Sequence, residues 1–282
     1  MAIVPKYIYI KHMSSPMMIK IFIIFMGLSL IIPSYAAFPC TLFGAIGDSV
    51  QGGGVLIGKT RDRTENSEQA FAEVVPKEGY RYRGISMRGV NRVTSGINDK
   101  GLVVVSSTAS GVKKEGRVTT VGKILSKASS VDEVVAMVRK GEIQGPIYYL
   151  VGDIHKIALL EVIDRRRYDS LFKEDGVLCH TNHFVLKEVR DFNRKTGASS
   201  QARLNRVGGL LADGPLTKER FVTITKDHFN GPGNNSICRH FEKGVRGSER
   251  TVSAAVYTLR KGEAPEIWVS LGQPCQAPFE KH

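Results

Sequence analysis

The hydrophobic residues that follow residue 40 fall into short runs separated by turn residues, a pattern that predicts β-strands. Thr41–Ile46 and Val55–Lys59 are two such runs, and Gly52-Gly53-Gly54 lies between them. The glycines lack the Lys-Ser/Thr that would follow them in a phosphate-binding loop, so they are interpreted as the turn of a hairpin. Further strands are predicted at Phe71–Val75, Tyr80–Met87, Arg92–Ile97 and Leu102–Ser107.

Helical spacing follows in two consecutive segments, Thr119–Ala128 and Val131–Lys140. In the second segment Ser130 and Glu133 form a capping box, and Gly141 follows the last turn, which predicts where this helix begins and ends. The remaining pattern predicts strands at Ile147–Val151, Ile157–Val162, Val177–His180, Ser253–Leu259 and Glu266–Leu271, and helices at Ser200–Leu211 and Thr217–Phe229.

The order of these elements is strands, helices, strands, helices and strands. Short turns between successive strands, such as Asn98-Asp99-Lys100-Gly101, favour antiparallel sheets. Helices that occur in pairs, rather than after each strand, favour separate helical layers. The pattern therefore predicts an α+β protein in which two mainly antiparallel sheets stack between layers of helices.

Residues 1–36 have the features of a secretory signal peptide. They contain three lysines and no acidic residue, an apolar stretch at Ile21–Ile32, and a Ser34-Tyr35-Ala36 site with small residues at both required positions. A signal anchor or a buried helix is the alternative, but the apolar stretch is short and ends in a proline. We therefore expect cleavage after residue 36 and export, to the periplasm or the medium. Met17 or Met18 would also begin such a peptide, so the start codon stays open.

Composition and charge restrict the class of protein further. Hydrophobic residues make up 42% of the chain and charged residues 24%, as in globular proteins. No apolar run reaches the ~20 residues that span a bilayer, so stable membrane insertion is not expected after removal of the signal peptide. The formal net charge of +13, or +10 without residues 1–36, would suit an anionic partner. The basic residues are dispersed, however, and no base-reading motif accompanies them. A nucleic acid partner is therefore not expected, and a polyanion-binding surface protein is the weakest hypothesis.

The four cysteines are too few for a disulfide scaffold. Export permits a disulfide, and Cys238 and Cys275 could pair, although the sequence does not decide this. Cys179-His180-x-x-His183 contains residue types that bind zinc. Alternation along a strand would place Cys179 and His180 on opposite faces, and no second Cys/His pair at ligand spacing follows. No metal and no organic cofactor is therefore predicted.

Cys40 lies four residues beyond the predicted end of the signal peptide. It could be lipidated, but Ala37-Phe38-Pro39 differs from a lipoprotein signal, or it could be a structural residue of the first strand. It could also become the first residue of the mature chain, where one residue carries both a thiol and a free α-amine with a pKa of about 8. Such an amine can act as the general base for its own thiol, as in enzymes with an N-terminal nucleophile.

Five segments, which occur in the same order as in a known family, favour one of these three interpretations of Cys40. They are Cys40-Thr41-Leu42-Phe43, Gly58-Lys59-Thr60-Arg61-Asp62-Arg63, Gly96-Ile97-Asn98-Asp99-Lys100-Gly101-Leu102, Thr181-Asn182-His183-Phe184 and Ser199-Ser200-Gln201-Ala202-Arg203-Leu204-Asn205-Arg206, with a similar tail at Leu271-Gly272-Gln273-Pro274-Cys275. In these segments the chain resembles the N-terminal-nucleophile hydrolases of the linear amide group. Within that group it is most similar to the penicillin acyl-CoA:6-aminopenicillanate acyltransferase type of cysteine peptidase, a relative of the choloylglycine hydrolases.

This resemblance implies a four-layer αββα fold for residues 40–282 and the hydrolysis or transfer of a linear amide. Carried over residue by residue, it makes Cys40 the nucleophile and, through its amine, the base. Asp62 would hydrogen-bond the new amine, Asn182 would donate its side-chain amide to the oxyanion, and Arg203 would pair with an acid near the nucleophile.

The substrate side of the implied site departs from the family pattern. Lys59 stands where the family has an arginine, which keeps the charge but loses the planar guanidinium. Arg61 could supply the cationic contact to the substrate instead. A second oxyanion donor is expected around Ser107 or Thr108.

Each assigned residue also has a purely structural interpretation. Asp62 could belong to a surface turn, Asn182 could cap the turn after the Val177–His180 strand, and Arg203 could be a solvated helix residue. Asn98 is expected to stabilise its turn rather than to take part in chemistry.

The sequence thus predicts an exported cysteine-type amidohydrolase or acyltransferase that processes itself at the Pro39–Cys40 bond, residues 37–39 being a short propeptide. The substrate would be a small-molecule amide, cleaved through an acyl-cysteine. Hydrolysis is expected over transfer because acyl-CoA is scarce outside the cytoplasm. The alternative from another class is an exported binding protein on the same fold with an inert Cys40. The acyl group, the amine and the oligomeric state are not determined by the sequence.

Overall fold

The computed structural model describes residues 39–64, 67–90, 92–112, 117–245 and 247–282. The predicted signal peptide and most of the predicted propeptide (residues 1–38) lie outside these ranges, so cleavage after residue 36 stays a prediction. No described helix combines the length and the apolar character that crossing a membrane requires.

The described ranges contain strands that form two antiparallel sheets. The strands are β1 (Cys40–Ile46), β2 (Val55–Arg63), β3 (Gln69–Val74), β4 (Tyr82–Met87), β5 (Ser95–Asn98), β6 (Val103–Thr108), β7 (Ile147–Gly152), β8 (Ile157–Val162), β9 (Tyr168–Lys173), β10 (Gly176–His180), β11 (Arg250–Leu259), β12 (Glu266–Ser270) and β13 (Glu280–Lys281). The first sheet has the order β10-β1-β2-β11-β12-β13, and the second runs consecutively from β3 to β9. β1 and β2 are therefore central strands of the first sheet.

Helices cover the outer faces of the two sheets. They are α1 (Val121–Lys127), α2 (Val131–Arg139), α3 (Ala198–Ala212) and α4 (Lys218–Thr225). The apolar residues of α1 and α2 share a core with the second sheet, and those of α3 and α4 share a core with the first sheet. A third core lies between the sheets. The predicted four-layer αββα arrangement is confirmed.

Successive side chains of β1 and β2 contribute alternately to the core between the sheets and to the core that the first sheet shares with α3 and α4. Cys40 and Leu42 of β1 and Ile57 of β2 face the second sheet. Phe43 of β1 and Leu56 of β2 face α3 and α4. Since successive side chains of a strand point to opposite faces, both strands are buried on both sides. The buried first half of β2 is an apolar run in the sequence, whereas its second half buries polar and charged residues.

Three elements differ from the sequence-based expectation, and one of them is β13, a two-residue strand that the pattern did not predict. β9 was not predicted, because Tyr168–Lys173 is a largely exposed edge strand without an apolar face. The helix predicted to reach Phe229 ends at Thr225. Shortly after it, the carbonyl of Asp227 accepts a hydrogen bond from the backbone N–H of Cys238 (3.1 Å), which turns the chain towards that segment.

The close pairing of β1 and β2 requires a glycine at position 58. Gly58 lies directly opposite Phe43 in the ladder. A Cβ atom at Gly58 would lie 2.3 Å from the Phe43 ring, which itself packs against Phe221 of α4 with ring centroids 4.9 Å apart. The glycine of the Gly58–Arg63 segment is thus a packing requirement rather than a chemical one.

A Gly58→Ala substitution should lower the free energy of unfolding by about 1–3 kcal/mol, because the added methyl group overpacks the core against Phe43. Urea unfolding followed by circular dichroism measures the change. Gly209→Ala in α3 is the matched control, since a Cβ there meets no atom within 4 Å. Equal midpoints for the Gly58→Ala and Gly209→Ala variants would contradict this explanation.

Candidate active site

Cys40 is the first residue of β1 and lies opposite Arg61 of β2 in the antiparallel ladder. Its side chain belongs to the core between the sheets and is 5% exposed. Residues directly opposite each other in a ladder point to the same face, and so do residues two apart on one strand. The Cys40 thiol therefore shares its face with Lys59 and Arg61, whereas Asp62 points to the other face of the sheet.

Both sides of the Pro39–Cys40 peptide bond are held by hydrogen bonds. The backbone N–H of Asp62 donates to the carbonyl oxygen of Pro39 (3.2 Å). The backbone N–H of Cys40 donates to Oδ1 of Asn182 (3.3 Å). The bond at which self-processing was predicted thus lies within reach of two predicted site residues, with the Cys40 thiol on the residue that follows the carbonyl.

The side-chain amide of Asn182 has a defined orientation. Its Oδ1 accepts from the Cys40 N–H and from Nη2 of Arg203 (2.9 Å), and its Nδ2 donates to the carbonyl oxygen of Thr108 (2.9 Å). Two donors face the oxygen and one acceptor faces the nitrogen. With the amide reversed, its NH2 group would face the two donors and its oxygen would face the Thr108 carbonyl. Thr108 therefore orients Asn182 through its backbone carbonyl.

The loop that carries Asn182 is attached to the start of α3. The hydroxyl group of Ser200 accepts from the backbone N–H of Asn182 (3.0 Å) and lies 2.8 Å from Nδ1 of His183. Thr181 Oγ1 donates to the carbonyl oxygen of Ser200 (3.0 Å). Two of the segments that suggested the family resemblance, Thr181–Phe184 and Ser199–Arg206, thus meet in space.

A buried acid holds the same loop from the other side. The Glu161 carboxylate of β8 lies 2.6 Å from Nε2 of His180 and accepts the backbone N–H groups of Val185 and Leu186. His180 therefore belongs to this network, whereas Cys179 packs against the helices on the opposite face of β10, as the alternation predicted.

Arg203 is fully buried beneath the start of β1. Its Nη1 donates to the carbonyl oxygen of Cys40 (3.1 Å) and to Oγ1 of Thr41 (3.0 Å), and its Nη2 donates to Asn182. Burial lowers the pKa of Arg203 to about 10. These hydrogen bonds position Cys40 and Asn182, and the Arg203 charge also lowers the pKa of Asp62. The predicted pairing of Arg203 with an acid stays a prediction, because the direct ion pairs to the nearby acids come from another arginine.

That other arginine is Arg239, which sequence reasoning missed. It pairs with Asp62 (Nη1 to Oδ2, 3.5 Å) and with Glu249, both of which are buried. Thr251 of β11 donates from its hydroxyl group to Oδ1 of Asp62 (2.7 Å). Burial raises the pKa of Asp62, and Arg239 opposes this rise. Burial also raises the pKa of Glu249 to about 7, again against the effect of Arg239.

Asp62 is thus a buried site residue rather than part of a surface turn. Its predicted partner, the α-amine of Cys40, exists only in the cleaved chain. Before cleavage the nitrogen of Cys40 is an amide whose N–H donates to Asn182. The contact between Asp62 and the amine therefore stays a prediction about the mature chain.

Two buried cations lie on the same face as the thiol. Lys59 donates from Nζ to the carbonyl oxygen of Thr94 (2.7 Å), and Arg61 donates to the Thr94 hydroxyl group (2.9 Å). Burial raises the pKa of the Cys40 thiol, and the Lys59 charge is the largest effect that opposes this rise. Burial lowers the pKa of Lys59 to about 8 and that of Arg61 to about 10. Positive charge beside a thiol favours the thiolate, which is the nucleophilic form.

Of the two candidates for a second oxyanion donor, Ser107 is engaged elsewhere. The Ser107 hydroxyl group donates to the carbonyl oxygen of Thr181 (2.5 Å), and the Thr108 carbonyl holds Asn182. Asn98 stabilises its turn, as expected, because its Oδ1 accepts the backbone N–H groups of Lys100 and Leu102. A role of Thr108 at the oxyanion stays a prediction.

The αββα sandwich, with Cys40 at the start of a central strand, has the fold of a class of protein, the N-terminal-nucleophile hydrolases. Several solved structures share this fold. Penicillin V acylase from Agrobacterium tumefaciens superposes with a TM-score of 0.54 at 14% identity, covering 82% of this chain and 83% of that one. The N-acylethanolamine-hydrolyzing acid amidase ortholog of Caenorhabditis elegans gives 0.50 at 13% identity, covering 77% and 92%. A variant of conjugated bile acid hydrolase from Clostridium perfringens gives 0.50 at 14% identity, covering 86% and 96%. At these identities the similarity shows a shared fold.

The family is shown by the sequence itself. A family model described as acyl-coenzyme A:6-aminopenicillanic acid acyl-transferase matches residues 49–276, and the chain belongs to this family. No curated protein matches the chain. The predicted family and the predicted enzyme class, which acts on linear amide bonds, are confirmed. The match begins after Cys40, so the position of Cys40 rests on the geometry described above.

Replacing Lys59 by methionine should shift the alkylation of Cys40 to higher pH. The charge of Lys59 lowers the pKa of the thiol, so its removal raises that pKa and reduces the thiolate fraction at any given pH. Iodoacetamide labelling across a pH series, with the Cys40 peptide quantified by mass spectrometry, measures the shift. Arg61→Gln should cause a smaller shift in the same direction, and Cys179 in each sample is the internal control. An unchanged Cys40 profile in Lys59→Met would show that Lys59 does not act on the thiol.

Proposed function

We propose that this protein is an exported, self-processing cysteine amidohydrolase of the N-terminal-nucleophile type. The observation that carries the proposal is the environment of the Pro39–Cys40 bond. Its carbonyl accepts from the Asp62 N–H, its N–H donates to Asn182, and a buried thiol lies on the adjoining residue. Export is supported by the signal-like composition of residues 1–36.

Self-processing begins when the Cys40 sulfur attacks the carbonyl carbon of Pro39. The carbonyl oxygen becomes an oxyanion, which the Asp62 N–H stabilises through the hydrogen bond that it already makes. The C–N bond then breaks, the nitrogen of Cys40 takes up the thiol proton, and the acyl group stays on the sulfur as a thioester. Water hydrolyses this thioester, releasing the propeptide with a free carboxylate and leaving Cys40 with both a thiol and an α-amine.

In the mature enzyme the new amine accepts the proton of its own thiol. The thiolate attacks the carbonyl carbon of the substrate amide, and the resulting tetrahedral intermediate expels the amine product, which takes up the proton from the Cys40 amine. Water then hydrolyses the acyl-cysteine. Asn182 donates one Nδ2 hydrogen to Thr108, and the other hydrogen is the donor that we assign to the oxyanion.

The charged residues on the two faces of the sheet have different roles. Lys59 and Arg61, on the thiol face, favour the thiolate. Asp62 and Arg203, on the other face, surround the backbone of Cys40 and position the amine. The solved structures named above include proteins that hydrolyse amides, and the family name describes an acyltransferase. Water is the acceptor that we propose, because export removes the enzyme from acyl-CoA.

Self-processing is tested by the N-terminus of the exported protein. Intact mass and N-terminal sequencing should show that the wild type begins at Cys40, whereas Cys40→Ala should keep Ala37-Phe38-Pro39 because it lacks the attacking sulfur. Cys179→Ala is the matched control and should be processed like the wild type. A wild type that keeps the three residues would contradict the mechanism and favour a binding protein with an inert Cys40.

Asn182→Ala should lower kcat for an amide substrate by about 10²–10³-fold, which is the typical effect of losing one oxyanion donor. The measurement uses mature protein and the best substrate from a panel of small N-acyl amides. Thr108→Val keeps the carbonyl that orients Asn182 and serves as the comparison. A kcat in Asn182→Ala within about threefold of the wild type would remove Asn182 from the oxyanion site. A large loss in Thr108→Val would instead identify its hydroxyl group as the second donor.

A further inference from the structure

Four side chains with metal-binding atoms, none of them among the predicted catalytic residues, converge in the last quarter of the sequence. The members of this cluster, which we call the Cys2His2 cluster, are His228, Cys238, His240 and Cys275. Each offers one ligand atom, and these atoms all lie within 4.8 Å of one another. Cys238 is fully buried and the other three are partly buried.

The spacing of the ligand atoms resembles that around a tetrahedral zinc ion. Zn–N and Zn–S distances of about 2.0–2.1 and 2.3 Å imply N···N and N···S separations of about 3.3–3.6 Å between ligands. In the structure the Nε2 atoms of His228 and His240 are 3.0 Å apart, and Sγ of Cys275 is 3.4 Å from Nε2 of His240. Only small shifts of the side chains would be needed to place an ion between them.

The backbone already holds the cluster together. The Cys238 N–H donates to the carbonyl oxygen of Asp227, the residue before His228 (3.1 Å). Nε2 of Gln273, two residues before Cys275, donates to the carbonyl oxygen of Arg239 (2.9 Å). The three segments that carry the ligands are therefore joined to one another without the metal, which reduces the ordering that binding would require.

We propose that the Cys2His2 cluster binds one zinc ion with a structural role. Two thiolates and two neutral imidazoles would complete a tetrahedral site of zero net charge, and the two thiol protons would pass to solvent on binding. With all four positions filled by the protein, the ion has no open position for a substrate. This proposal departs from the expectation of no metal, which was drawn from the spacing of residues in the sequence.

The ion would act on the active site through Arg239. This residue lies between the ligands Cys238 and His240, and its side chain pairs with Asp62 and Glu249. Its carbonyl oxygen also accepts from the backbone N–H of Thr251 (2.9 Å), whose hydroxyl group holds Asp62. Zinc would thus fix the segment that positions Asp62, and Arg239 is a positioning residue rather than a catalytic one.

A disulfide between Cys238 and Cys275 is the competing outcome, because export exposes the chain to an oxidising environment. The two thiols are not bonded in the structure. A disulfide would account for the two cysteines but not for two histidines whose ring nitrogens meet at the same point. These histidines are the observation that favours zinc.

Metal content tests the proposal without any substrate, so its outcome is independent of the proposed activity. Tag-free exported protein, purified without chelators, should contain about one zinc ion per chain by plasma mass spectrometry. Cys238→Ser and Cys275→Ser should fall to near zero, and Cys179→Ser, the matched control, should keep the full amount. Replacement of zinc by Co²⁺ in the wild type should produce intense tetrahedral d–d absorption and a thiolate-to-cobalt charge-transfer band.

The cobalt spectrum keeps the test valid if the serine variants fail to fold, since it uses the wild-type chain. Two results would overturn the proposal. One is wild-type protein that contains no zinc and takes up neither Zn²⁺ nor Co²⁺ under reducing conditions. The other is an intact mass lower by two hydrogens that reduction restores, which would show the Cys238–Cys275 disulfide instead.

Discussion

The pairing of β1 with β2 from the very first residue of β1 is the constraint on which the site depends. Cys40 lies opposite Arg61, and Phe43 lies opposite Gly58, which leaves room for the ring. A shift of the register by one residue would exchange the faces of β1 and move the thiol away from Lys59 and Arg61. The register therefore decides which charges act on the sulfur and which act on the backbone of Cys40.

A set of buried charges lies behind this pairing on the other face of the sheet. Asp62, Arg203, Arg239 and Glu249 are all nearly or fully inaccessible to solvent. Removing one partner of a buried ion pair typically costs about 3–5 kcal/mol, because the other charge is left uncompensated. Such a network stabilises the fold only as a complete set. Its hydrogen bonds hold Asn182 at the nitrogen of Cys40 and fix the Asp62 carboxylate, which we propose to position the amine after cleavage.

The fold could be predicted largely from the sequence, because its strands are apolar runs bounded by turn residues. β9 escaped prediction because an exposed edge strand carries no such pattern. The site residues Cys40, Asp62, Asn182 and Arg203 were predicted from the resemblance to a family. The structure brings the last three around Cys40. Arg239 and the Cys2His2 cluster could not be found in this way. Their residues come from segments that meet only in the folded chain, and the cluster has no regular spacing in the sequence.

The central claim is that one residue, Cys40, carries both the nucleophilic thiol and the basic amine. An aldehyde probe tests it most directly, because a cysteine with a free α-amine condenses with an aldehyde to a thiazolidine and an internal cysteine does not. The exported protein is denatured, treated with the aldehyde and mapped by mass spectrometry. The account predicts a thiazolidine on Cys40 with no residue before it. A Cys40 peptide that still carries Pro39 and forms no thiazolidine would contradict it.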